Sequence, residues 1–220
     1  MPSPSELVRD AFLATAAEAR GLIASRSVAA KWNEPSALDH LTVGAVAGHL
    51  ARAGFVVVGY LDTSDPDLAV DAGELLTADQ YFERLLPPPD ASEEMHARIR
   101  ARSANEAADG QEALVARVDA TLRELDERLA SEPADRNVKV AGGLVLPLDE
   151  YLVTRMVELV VHSDDLAASV GLEVAEFDPM TMACVIGCML AMVRARHGDI
   201  AVVRSFARRE RDIVNAIRAF

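Results

Sequence analysis

Apolar residues recur at helical spacing through most of this chain. Residues 5–25 place Leu7, Phe12, Leu13, Ala16 and Ile23 near one face, with Ser5 positioned as the cap, and predict a first helix. Residues 32–40, from Trp32 to His40, hold a proline and turn formers and predict a loop, after which Thr42 is placed to cap helix two. Helix two, over 42–61, is almost entirely small or apolar, so burial on most sides is expected, with His49 and Arg52 as its central polar residues. Residues 62–89 turn acidic and then proline-rich at Pro87-Pro88-Pro89. They predict irregular surface chain with a short helical turn at 79–86, and a segment that could form part of a lid.

Residues 91–130 predict a long amphipathic helix three, its apolar face marked by Leu114, Val118, Leu122, Leu125 and Leu129, with Gly110 a point where it kinks or divides. Two β-prone runs flank Gly142-Gly143 within 138–146 and predict a small hairpin, a clasp rather than a core sheet. Pro147 then opens helix four over 148–170, which Gly171 closes. A further helix over 179–196 precedes a helical tail to 220. The expected fold class is all-α: a four-helix bundle over 1–175, with the hairpin before helix four, and a helical C-terminal segment over 176–220 packed on it.

Helix four breaks the simple pattern. In the stretch from Arg155 to Asp165, Arg155, Glu158, His162 and Asp165 fall in one sector roughly 80° wide, bounded on both sides by Met, Val and Leu. A surface helix would show a broader polar face, so this narrow stripe is expected to point into the protein. Burying such groups is costly unless they pair or coordinate a metal. Asp164 lies on the opposite face and is expected in solvent.

Composition narrows the partners. The 220 residues carry 22 Lys and Arg against 35 Asp and Glu, a net charge of −13 that argues against nucleic acid and anionic membrane. The apolar run 180–193 is short for a bilayer span, and the N-terminus lacks the basic and apolar parts of a secretory leader. Two cysteines, Cys184 and Cys188, give no disulfide framework; a cytoplasmic location and buried inert thiols are expected. From Arg194 onward the balance reverses, with seven arginines against Asp199, Glu210 and Asp212. Such a tail either docks on the acidic body or offers an arginine to a substrate carboxylate.

Glu158 and His162, at i and i+4, can chelate one ion from a single helix face. His49, mid-way along another apolar helix, would complete a three-ligand site with an open position, of a kind that suits Zn²⁺ among the divalent metals. Asp165 is then either the acceptor that orients a ligand imidazole or a partner of Arg155 or Arg52. Either arginine could stabilise developing negative charge or serve as an ion-pair partner.

The segment Trp32…Pro35-Ser36-x-Leu38-x-x-x-Thr42-Val43…His49-Leu50, followed by Arg155-x-x-Glu158-x-x-x-His162-x-x-Asp165-Leu166, resembles the mycothiol-dependent maleylpyruvate isomerase N-terminal family of the DinB-like superfamily. The resemblance covers about 5–170, and Arg196-His197-Gly198-Asp199 and Arg208-Arg209-Glu210 also look like the C-terminal part of such proteins. It implies a DinB-like four-helix bundle whose divalent metal, commonly zinc, is held by His49, Glu158 and His162, and a low-molecular-weight thiol, mycothiol, as cosubstrate. Where the family has Gly-Trp before Thr-Val, this chain has His40-Leu41, and its helical tail does not resemble the isomerase's added α/β domain. The implied activity is thiol transfer to, or isomerisation of, a small electrophile. The alternatives are a metal-dependent hydrolase, or a non-catalytic helical module that binds a partner or forms a homodimer.

Overall fold

The computed structural model describes residues 2–71, 73–85 and 93–207. Among them the chain is all-α apart from one hairpin. Helix α1 (Pro4–Ile23) begins a residue earlier than its composition suggests, because Ser3 rather than Ser5 forms the capping box with Glu6. A short α2 (Arg26–Ala30) turns the chain toward Trp32, whose ring lies over Gly44; a β-carbon on Gly44 would come within 2.7 Å of it. Thr42 caps α3 (Val43–Thr63), as its position implies, by accepting from the Ala45 amide.

The short helical turn expected at 79–86 is a helix of eight residues, α4 (Ala78–Leu85), and it sends Tyr81 and Phe82 into the core instead of lying wholly at the surface. Helix three divides at the point expected: α5 (Glu93–Glu106) and α6 (Gln111–Ser131) are separated by a turn that ends at Gly110, whose φ of 87° no right-handed helix accommodates. Strands β1 (Asn137–Lys139) and β2 (Val145–Pro147) pair antiparallel, with Val138 opposite Leu146. Then come α7 (Leu148–Val170), ended by left-handed Gly171, α8 (Pro179–His197) and α9 (Asp199–Ala207). The remainder of the expected tail, with Arg208, Arg209 and Glu210, lies outside the described residues.

The bundle is α1, α3, α6 and α7: α1 lies against α7 and α6, and α3 against α7 and α6, with α5 alongside α3. Its centre is filled by Phe12, Leu50, Leu114, Leu125, Leu152, Met156 and Leu166. Arg9 is nearly buried and fastens one end. Its Nη1 donates to the Leu129 and Glu132 carbonyls and its Nη2 to Pro133, satisfying the end of α6, while its Nε donates to Asp149 at the start of α7.

Helix α8 packs against α7, α4 and α1 but leaves Met180, Ile186 and Leu190 exposed, and α9 exposes Ile200, Val203 and Phe206. By length and composition both α3 and α8 could cross a membrane; the apolar stretch of α3 is 61% buried inside the protein and that of α8 only 28%. The length argument from residues 180–193 therefore does not extend to the whole 19-residue helix.

Candidate metal centre

Helices α3 and α7 pack side by side, and this brings together residues more than a hundred positions apart. His49 comes from the middle of α3 and Glu158 and His162 from successive turns of α7. His49 Nε2 stands 3.5 Å from Glu158 Oε2, and His162 Nε2 stands 3.3 Å from the same oxygen. One donor atom from each of the three residues lies within 4.8 Å of the others. Donors about 2.1 Å from a tetrahedral ion stand about 3.4 Å apart, so these spacings fit a divalent ion without moving a helix. All three residues are half-buried, so one side of the cluster remains open to a fourth group.

The outer ring nitrogens are held as well. His162 Nδ1 lies 2.9 Å from Asp165 Oδ2. A carboxylate can only accept, so the imidazole presents Nδ1–H to Asp165 and its other nitrogen to Glu158. Asp165 is thus the partner of an imidazole, and the alternative pairing with Arg155 or Arg52 is not adopted. His49 Nδ1 lies 3.1 Å from Ser103 Oγ on α5, whose hydroxyl proton is directed to the Ile99 carbonyl at 2.9 Å. Ser103 is left to accept from His49 Nδ1–H, which leaves Nε2 as the free donor atom.

Ser103 reaches His49 because of its neighbour Gly48. A β-carbon at position 48 would fall 2.5 Å from the Ser103 carbonyl oxygen and 3.1 Å from the Ala107 amide nitrogen. Only glycine lets the backbones of α3 and α5 approach this closely.

Electrostatics follow from the geometry. Burial works against the Glu158 carboxylate, but the His162 and His49 imidazoles beside it and the charge of Arg155 hold it far below the usual carboxylate range. Burial also works against a charged His162, yet Asp165 and Glu158 outweigh it and raise its pKa to about 9. Without an ion, His162 therefore holds a proton between two carboxylates.

The other residues of the stripe divide. The Arg155 Nε donates to Thr154 Oγ1 at 3.0 Å, and the guanidinium lies over the rings of Tyr151 and Tyr81, 5.0 and 5.7 Å from their centroids. It forms no ion pair with a carboxylate among the described residues. Tyr60 meets Tyr151 edge to face at 5.5 Å, and burial raises the pKa of both Tyr81 and Tyr151, which keeps their hydroxyls protonated. Arg52 turns away to Glu106 on α5, at 3.4 Å, and Arg117 shares that carboxylate at 2.6 Å. Asp164 is exposed, as its position on the helix implies.

Cys184 and Cys188 lie on α8, off the two helices that supply the cluster. Burial raises both thiol pKa values, that of Cys188 to about 12. Of the basic tail, Arg194 pairs with Asp199 at 2.7 Å, within the tail itself. Ser103, Glu106 and the tyrosines escaped the sequence reading. Tyr151 alone left a signal there, one turn before Arg155 on the same helix.

Comparison with known proteins comes to one family. The family model described as "Mycothiol maleylpyruvate isomerase N-terminal domain" matches residues 12–167, well over half of the chain. No curated protein and no solved structure matches.

Proposed function

Since the chain belongs to the mycothiol maleylpyruvate isomerase N-terminal domain family, we propose that it is a divalent-metal enzyme that activates a low-molecular-weight thiol of the mycothiol type. The thiol would be transferred to, or would isomerise, a small electrophile. The observation that carries this reading is the convergence of His49, Glu158 and His162, with both outer imidazole nitrogens already hydrogen-bonded, on a point open at one side.

These three residues would hold the ion, for which zinc fits the two-nitrogen, one-oxygen donor set. A bound ion of this kind favours the thiolate over the thiol near neutral pH. The protein's own groups then have separate tasks. Ser103 and Asp165 orient the imidazoles. Arg155, stacked on Tyr81 and Tyr151 and free of a carboxylate partner among the described residues, faces negative charge as it develops on the electrophile. Arg52, engaged by Glu106, supports α5 beside the cluster.

The thiolate sulfur forms a C–S bond to the electrophilic carbon, and the displaced electron pair moves onto the activating group beside Arg155. Protonation of that adduct gives S-transfer. Rotation about the carbon–carbon bond that addition has made single, then return of the electron pair from the activating group to re-form the double bond as the C–S pair leaves with sulfur, gives isomerisation. Neither route needs a protein thiol, in keeping with two cysteines held protonated on α8.

Metal content of untagged protein by plasma mass spectrometry, followed by thermal shifts with mycothiol, bacillithiol and glutathione, tests this. Near-stoichiometric zinc that His49→Ala abolishes, and stabilisation by one thiol, are expected. Substoichiometric metal indifferent to His49→Ala would overturn the metal, and no response to any thiol would overturn the thiol.

A further inference from the structure

We propose that α8 is a self-association surface, and that two copies of this chain pair through antiparallel α8 helices crossing at Gly187. One face of α8, carrying Thr181, Val185, Cys188 and Met192, is buried on the bundle. The opposite face carries Ala183, Gly187 and Leu190, with Ile186 and Met180 on its flanks: a helical stripe that is apolar and exposed. Ile186 is 57% exposed, and a β-carbon at Gly187 would meet nothing within 4 Å. Glycine within a helix is less favourable than alanine, and among the described residues no neighbour requires it. Between two helices it does have a use, since small residues at a crossing let the axes approach to about 8 Å.

Charge selects the occupant and its direction. The N-terminal end of α8 follows exposed Glu173, Glu176 and Asp178, while its C-terminal end carries exposed Arg196, His197 and Arg194, the last also paired with Asp199 of its own protomer, a balance that is still net basic. Antiparallel pairing sets the acidic end of each helix against the basic end of its partner and, with Gly187 across from itself, brings Ala183 level with Ala191 and beside Leu190 of the second copy. Parallel pairing would set acid on acid in a chain already at −13. A second copy is therefore the one partner whose complementary charges this helix itself supplies.

Gly187→Glu and Gly187→Lys place a side chain in open space within one protomer, so each variant keeps its fold, which circular dichroism checks. Sedimentation velocity of the full chain at about 100 µM should show dimers, with each variant alone about tenfold or more weaker in association and a one-to-one mixture restored. A native chain that sediments as a monomer overturns the proposal; if removal of residues 208–220 then produced dimers, that segment would be the occupant. Variants as dimeric as the native chain would also overturn it. Metal content plays no part in this readout, so the dimer can fail while the proposed thiol chemistry stands, and the reverse.

Discussion

His49 and His162 meet edge to face, with ring centroids 4.4 Å apart and planes at 86°, and both turn toward a single oxygen of Glu158. In metal-free protein the pKa of His162 rises from an ordinary 6.5 to about 9. A folded pKa above the unfolded one contributes stability that is complete below the unfolded value and is lost as pH rises through the folded value. That difference corresponds to about 3 kcal/mol. Urea denaturation of metal-free protein should show a loss of this order between about pH 6 and pH 9.5, largely absent in His162→Gln. Added zinc should reverse the trend, because the imidazole must shed its proton to bind.

Ser103 is expected to act on the metal through His49. Ser103→Ala removes the acceptor at Nδ1 and should weaken zinc binding about 10- to 100-fold in a chelator competition. Thermal stability without metal should fall by no more than about 1–3 kcal/mol, the cost of leaving a part-buried imidazole N–H unpaired. A variant with native affinity would remove Ser103 from the centre.

Arg9 offers a contrast far from the cluster. Arg9→Met leaves three carbonyl groups and Asp149 without this partner, and should destabilise the bundle by about 3–5 kcal/mol. Equilibrium denaturation measures the loss, while zinc affinity of the folded fraction should be unchanged.

His40 holds φ at 64°, and among the described residues it is the only non-glycine with positive φ. The left-handed conformation costs a β-carbon-bearing residue about 1–2 kcal/mol, part of which glycine's greater freedom when unfolded returns. His40→Gly, which restores the residue the resembling family carries there, should raise stability by up to about 1 kcal/mol; a lower melting temperature would count against strain at this turn.

How far the site was legible in sequence depends on the distance between its parts. Glu158 and His162 share a turn of one helix, so their meeting is fixed by helix geometry alone. His49 announced itself as a polar residue amid small and apolar ones, though its pairing with α7 needed the bundle. Asp165 had several candidate partners until rotamers chose His162. Ser103 and Glu106 left no signal: their helix α5 has a weak apolar face, and only its close approach at Gly48 directs them inward. The division of helix three turned on Gly110, where a residue tolerable in a helix also permits the φ that ends one.

The three proposed ligands belong to segments separated by more than a hundred residues of chain, and one of them rides on a helix different from the other two. An ion there is a removable staple between α3 and α7. Bound to both, it would raise the cost of parting them, so the opening that lets amide hydrogens exchange along their seam should become rarer when metal is present. Loading the protein with metal would then slow exchange at Leu50 and Leu159, deep in the bundle, more than at the ends of either helix.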